Sequence, residues 1–472
     1  GFNSMKLGGT ALNTTASYTT TLGFDTGMYT TGSYNTFIGA LAGKGGTTSA
    51  PYSSGQYNTA LGYQALTGFT SGNNNVSIGY ASLYTNTTTA GNTAIGYRAL
   101  YTLDYMNTNS PRNVAVGYDA GYYLDGGYDL TAVGYEAGYK SDDNYGNTFV
   151  GVISGKYIDD GNYNTAIGGY SMLGTDENGN DASNNVAVGY GSLQVITDGD
   201  NNVGVGYRAG KALTTAPDNT LVGNTAGEDL TFGKENTFIG SEAGANATTT
   251  SGSTAIGYKA MGTYATTGNN NTVVGASSGQ YLISGDSNTF LGQNIGGTIE
   301  GRSNVAIGVY SLGAIRREAS NNVAVGNNAL AYHGAQCVAI GDAALHGNYT
   351  YSTTAASAAH TGSVAVGYQA GQSTTGSYNT FVGYQAGKGS GGSSAQYNTF
   401  IGNKAGLSIT SGGSNTALGS AALMTHTTGT GNVAIGNGAM TNTDAGSNSL
   451  DSDYNTFIGW AAGNGAWTNS KS

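Results

Sequence analysis

One short motif recurs along this chain from end to end, and it restricts the fold more than any other feature. The motif is Asn, then Thr or Val, then Ala or Phe, then Ile, Val or Leu, then Gly, as in Asn58-Thr-Ala-Leu-Gly62, Asn113-Val-Ala-Val-Gly117, Asn236-Thr-Phe-Ile-Gly240 and Asn432-Val-Ala-Ile-Gly436. Twenty-six such anchor glycines run from Gly8 to Gly459, and twelve of the 25 intervals between them are 17 residues long. A fixed period of this length is the signature of a solenoid, in which each repeat is one coil that buries its apolar face only against its neighbours. The pattern predicts a single continuous array over residues 1–472 with no domain boundary. Intervals longer than the period predict loop insertions near 40–57, 97–112, 169–184, 342–362 and 437–454, each bulging from one coil without shifting the next.

The residue types in each column predict what a coil is. Ile, Val or Leu stands immediately before all 26 anchors, and Thr or Val stands at the third position before them except at Met5. These residues flank a column that is mostly Ala or Phe, so the segment reads as a short β-strand with side chains on alternating faces. Both faces are then apolar. A coil needs only one apolar face for its own interior, so the other predicts burial against a further chain.

Four positions after the anchor the residue is always Gly or else Leu or Met, as in Gly43, Leu66, Leu83, Leu100 and Gly121. The seven Phe residues of the Ala/Phe column, Phe37, Phe149, Phe238, Phe290, Phe381, Phe400 and Phe457, all belong to repeats with Gly at that later position. Close-packed interiors penalise both a void and an overfill, so the two columns are expected to exchange volume, with Phe238 stacked over Gly244. The leading residue is Asn in 20 of the 26 repeats, which predicts a ladder of stacked amides along the coils.

The cores Asn-Val-Ala-Val-Gly and Asn-Thr-Ala-Ile-Gly resemble the repeats of trimeric autotransporter adhesin heads. The fuller form Asn92-Thr-Ala-Ile-Gly-Tyr-Arg-Ala-Leu100 is similar to repeats in bacteriophage tail fibres. The resemblance covers nearly the whole chain and implies an all-β, left-handed β-roll, three identical chains about one axis, and an extracellular binding fibre. No heptad stalk and no C-terminal anchor-barrel pattern accompanies the repeats, which directs the resemblance toward the tail fibres.

Composition narrows the partners. A formal charge of −11, from 16 Lys and Arg against 27 Asp and Glu, argues against nucleic acid, whose phosphates require a basic face. No apolar run is long enough to span a membrane as a helix. A single Cys, Cys337, has no partner in the chain and occupies an Asn position of the ladder, where it is expected to be buried and inert. The low Cys and charge content, with abundant Thr, Asn, Gly and Tyr, fits an extracellular protein.

Three sets of side chains are candidates for chemistry. The first is an acidic stripe, Asp143, Asp160, Asp181 and Asp198, with Asp125, Asp142, Asp159, Asp176 and Asp200 nearby. Stacked carboxylates repel, and calcium would relieve that repulsion; a solvated acidic edge is the simpler reading and the one we prefer. The second is the tyrosine that follows the anchor in five successive repeats, Tyr63, Tyr80, Tyr97, Tyr118 and Tyr135. Such a column suits the faces of sugar rings, against the plainer reading of a stack that shields strand ends. The third is His333, His346, His360 and His426, whose spacing supports no metal site and which are expected to be exposed in loops.

No motif of a metalloprotease, a serine hydrolase or a phosphate-binding loop is present, so the chain is expected not to be an enzyme. The function expected is an extracellular attachment fibre, a homotrimer presenting loops to a cell-surface glycan or protein. A self-assembling filament without a receptor is the first alternative. A glycan depolymerase using two of the stripe carboxylates is the second.

Overall fold

The computed structural model describes residues 16–47, 52–103, 111–175, 180–296, 300–313, 320–331, 334–347, 360–391, 393–442 and 452–465. These divide into two compact units, Gly1–Asn236 and Thr237–Ser472. Among the described residues there is no helix, and each unit is a parallel β-solenoid. The first unit carries twelve three-residue strands, from Thr20–Leu22 to Thr220–Val222; the second runs from Thr237–Ile239 to Thr456–Ile458. Each three-residue strand is the segment read from the sequence, ending one residue before an anchor glycine, and two further two-residue strands, Gly334–Ala335 and His360–Thr361, lie outside that segment and pair with each other. Successive strands pair in register, so that Thr59, Ala60 and Leu61 face Val76, Ser77 and Ile78 of the next coil.

The anchor glycines explain why the register never slips. Each has a strongly positive φ, +139° at Gly62 and +131° at Gly240, which an L side chain rarely tolerates. A Cβ at Gly240 would also lie 2.6 Å from the carbonyl oxygen of Gly257 in the next coil. Glycine is therefore required twice at the same atom, once by the turn and once by the neighbouring coil. A residue four places later also turns with positive φ in every described coil with Leu there, for example +53° at Leu66 and +49° at Leu100.

The choice between Gly and Leu at that place is consequently one of volume. The backbone is nearly the same, φ +52° at Gly43 and +58° at Gly244 against +46° at Leu83. A Cβ on Gly43 would meet the Phe37 ring at 2.5 Å, and one on Gly244 would overlap the Phe238 ring. The expected stacking of Phe238 over Gly244 is present, and six of the seven column phenylalanines are fully buried. Where Ala in the strand comes with Leu at the later place, as at Ala60 with Leu66, Ala94 with Leu100 and Ala187 with Leu193, the leucine is likewise fully buried. Where Ala comes with Gly, as at Ala132 with Gly138, the glycine faces Phe149 of the next coil.

The Asn ladder is equally regular. Asn75 is fully buried. It donates from its backbone N and from Nδ2 to Asn58 Oδ1 at 2.9 and 3.1 Å, and from Nδ2 to the Thr89 carbonyl at 3.0 Å. Its own Oδ1 accepts from the N and Nδ2 of Asn92 at 3.0 and 3.1 Å. Asn75 thereby uses both Nδ2 donors and both acceptor directions of Oδ1, so its burial leaves no side-chain polar atom unmatched. Cys337 takes the place of an amide in this ladder. It is buried, its N–H donates to Asn322 Oδ1 at 3.0 Å, its thiol donates to the His360 carbonyl at 3.1 Å, and burial raises its pKa.

A further inward column lies seven residues after the anchor, with Phe69, Leu103, Leu124, Ile158, Ile196 and Leu213 fully buried. His426 occupies this column, fully buried, with Nε2 3.3 Å from Asn432 Nδ2. His360, 2% exposed, replaces the small residues that lie seven places before the anchor in other coils. The expectation of exposed histidines is thus corrected for both. The inward columns are fixed by register, and whichever side chain falls there is buried. His346 is half-buried, with a pKa lowered by that burial, and His333 lies outside the described residues.

Exchange of volume between the two columns has a measurable consequence. Gly244→Leu alone overpacks the coil and should cost about 1–3 kcal/mol, and Phe238→Ala alone leaves a cavity worth about 3–5 kcal/mol. The double variant recreates the Ala/Leu pairing of other coils and should recover most of both losses. Chemical denaturation of the four proteins checks this, and simply additive losses would refute shared space.

Candidate functional site

With the inward columns consumed by packing, the chemistry available to a partner lies on the outward ones. The tyrosines that follow the anchors form a continuous stack: ring centroids are 5.5 Å apart for Tyr63 and Tyr80, 4.9 Å for Tyr80 and Tyr97, 4.7 Å for Tyr97 and Tyr118, and 5.4 Å for Tyr118 and Tyr135. Interplanar angles of 10–23° make these face-to-face contacts. The five rings are 38–47% exposed, so the structure brings together all five residues singled out by the sequence. Because the faces are spent on one another, what the column offers outward is ring edges and hydroxyls.

A second stack, not anticipated from the sequence, runs five residues after the anchors through Tyr84, Tyr101, Tyr122 and Tyr139, with centroid separations of 5.1, 5.0 and 5.3 Å. It is more buried than the first, and burial raises the pKa of Tyr101 and Tyr122 and pushes that of Tyr139 up to about 12. Arg98 ties the two stacks together. Its guanidinium lies 4.9 Å from the Tyr97 centroid and 4.7 Å from that of Tyr122, and it forks onto Asp119 through Nε to Oδ1 at 2.9 Å and through the terminal nitrogen to Oδ2 at 2.5 Å. That hydrogen bond raises the arginine pKa. Lys156 repeats the theme three coils on, over Tyr139 at 5.4 Å and Tyr157 at 4.9 Å, paired with Glu136 at 2.7 Å.

The aspartates resolve into two columns. Asp143, Asp160, Asp181 and Asp198, eight residues before successive anchors, are all exposed. Asp142 and Asp159, nine before, are half-buried, and Asp125 of the same column is exposed. Asp142 Oδ1 accepts the Asp125 N–H at 3.1 Å, and Asp159 Oδ2 accepts from Lys140 Nζ at 2.7 Å. Asp159 Oδ1 is buried without a hydrogen-bond partner among the described residues. Although Asp160 is exposed over much of its side chain, partial desolvation by its surroundings, then the neighbouring carboxylates Asp159, Asp181, Asp143 and Asp142, raises its pKa. Among the described residues no three of His, Cys, Asp and Glu come together as a set that could hold a metal ion. The oxygen-rich segment at 176–179 lies outside the described residues.

In comparison with known proteins, no family model matches the sequence and no curated protein matches it.

A carboxyl whose pKa is raised by folding destabilises the folded state when ionised, so its cost is present near neutral pH and fades as pH falls through the carboxyl range. Asp160→Asn should therefore raise the melting temperature at pH 7 by an amount on the order of 1 °C, with the gain shrinking toward pH 3. Melting curves of both proteins at the two pH values check the sign, and a loss at pH 7 would refute repulsion within the stripe.

Proposed function

We propose that this chain is the shaft or head of an extracellular attachment fibre of the bacteriophage tail-fibre kind, assembled from three copies and holding its outward columns and loops against a cell-surface glycan or protein. The observation that carries the reading is a row of half-exposed aliphatic side chains on the outer face of the strands. Leu61 is 44% exposed, Ile95 36%, Ile167 42%, Leu291 48% and Leu418 45%, one for each strand, where a solvated solenoid face would carry polar residues. Covering them against another chain gains roughly 1 kcal/mol of apolar burial per coil before the costs of association. The resemblance of the repeats supplies the number three.

The same observation weighs against catalysis. Inward side chains are committed to packing and to the amide ladder, and the outward ones are periodic, so each coil repeats much the same surface. Repetition of that sort suits many weak contacts made together, whose combined strength exceeds that of any one contact by orders of magnitude.

Static light scattering should give a mass near three chains, about 143 kDa from 47.5 kDa each. Ile95→Asp with Ile167→Asp should yield a smaller species that retains its β-sheet circular dichroism. A stable single-chain mass for the unaltered protein would remove the reason for the outer ladder. Attachment itself is read by retention of labelled protein on intact cells of a diverse bacterial panel; a three-chain assembly that is retained on none would reduce the proposal to a passive filament.

A further inference from the structure

The residue six places after the anchor varies from coil to coil along the chain, and at one stretch of coils the surface is indented. Thr85, Thr102, Tyr123 and Lys140, which hold this place in four successive coils, line an open cleft of about 470 Å³ together with Asp125 and Asp142. At a coil spacing of about 4.8 Å the four residues span some 14 Å. That length suits an oligosaccharide better than a single sugar ring.

The side chains are complementary to a sugar in kind as well as in extent. Tyr123 is 45% exposed and meets Tyr122 at 79° and Tyr139 at 90°, so its ring is not sandwiched face to face like those of the column. It is the aromatic surface against which the C–H face of a sugar can rest. The hydroxyls of Thr85 and Thr102 donate to the carbonyls of Tyr101 and Tyr122 at 3.0 and 2.8 Å, which holds their oxygens in place as acceptors. Lys140 is held at 2.7 Å by Asp159 and keeps further N–H donors. Asp125 is exposed, and Asp142 is fixed by the Asp125 N–H at 3.1 Å. Charge selects among sugars: Asp125 and Asp142 line the cleft beside its one cation, Lys140, which is itself paired with Asp159 and feels Asp142 and Asp160, so a uronic or sialic acid is repelled.

We propose that this cleft binds a short stretch of neutral polysaccharide, with one hexose ring on Tyr123, its adjacent hydroxyls donating to Asp125 and Asp142, and Lys140 donating to a ring or glycosidic oxygen. The proposal deepens the attachment reading and rests on it only for the premise that the chain meets a glycan.

The test is saturation-transfer NMR and calorimetry on the full chain, with neutral hexasaccharides from glucan, mannan and galactan and with hexagalacturonate as the anionic counterpart. At least one neutral hexasaccharide should bind at millimolar concentration and hexagalacturonate should not. Tyr123→Ala should weaken binding by about tenfold. Tyr123→Phe should preserve it, and Asp125→Asn, at an exposed side chain with no part in packing, should weaken it without lowering the melting temperature. Failure of all three neutral probes, equal binding of hexagalacturonate, or indifference to both Tyr123→Ala and Asp125→Asn would overturn the proposal. Light scattering separates the two failures. A three-chain mass without sugar binding sinks the cleft and leaves the fibre, whereas sugar binding by a single-chain species sinks the fibre and leaves the cleft.

Discussion

Close approach between glycines of successive coils is the constraint from which the rest of this architecture follows. The anchor backbone sits where any Cβ would strike the carbonyl of the next coil, as between Gly240 and Gly257 or between Gly39 and Gly62. Because the contact is backbone to backbone, it fixes both the spacing and the rotational register of each coil against its neighbour. Strand pairing then has no freedom to slip, and every side chain at a given distance from the anchor stacks on its counterpart. Insertions are tolerated only where the chain leaves this register and returns to it before the next anchor, which is why long intervals leave the strand pairing intact.

Once columns are enforced, their chemistry is determined by whether like can stack on like. Asparagine can, since an amide both donates and accepts, so a buried row of amides satisfies itself without water. Carboxylates cannot, and the aspartate columns rely on a backbone N–H at Asp142 and on Lys140 at Asp159. Tyrosine stacks by its faces and keeps its hydroxyl at the rim, so it is the one large side chain that is comfortable in an outward column. Phenylalanine and leucine share a single interior site by turns, and the Phe238 and Gly244 pair shows that the interior holds a fixed volume rather than a fixed residue.

Much of this was legible in the sequence because repetition turns one chain into many aligned examples of the same coil. The strand, the anchor, the Phe/Gly exchange and the buried Cys337 could all be read from columns counted against the glycines. The interior column at Phe69, Leu124 and Ile196 escaped notice because it lies seven residues beyond the anchor, where insertions begin and residue types vary. His426 was misjudged for that reason: taken alone it is a polar residue in a loop, whereas its column makes it a core residue. The second tyrosine stack was missed because Tyr84, Tyr101, Tyr122 and Tyr139 continue for only four coils, too few to stand out from a chain with 35 tyrosines. The two aspartate columns were merged into one stripe because their members are adjacent in sequence, and only the differing burial of Asp142 and Asp143 separates them.

What distinguishes one stretch of a solenoid from another is therefore the departure from the period rather than the period itself. The Ile, Val and Leu ladder on the outer strand face recurs at nearly every coil, so it suits a role that successive coils share, such as the association between chains proposed above. The sixth column varies along most of the chain, and the cleft at Thr102, Tyr123 and Lys140 is one place where that variation leaves the surface open. Tyr123 has Thr102 and Lys140 as its column neighbours, so no tyrosine stacks on it, and it stands perpendicular to the Tyr122 and Tyr139 rings with its own ring 45% exposed. In a protein built from ladders, an exposed ring with no like residue above or below it sets that coil's surface apart from those of its neighbours.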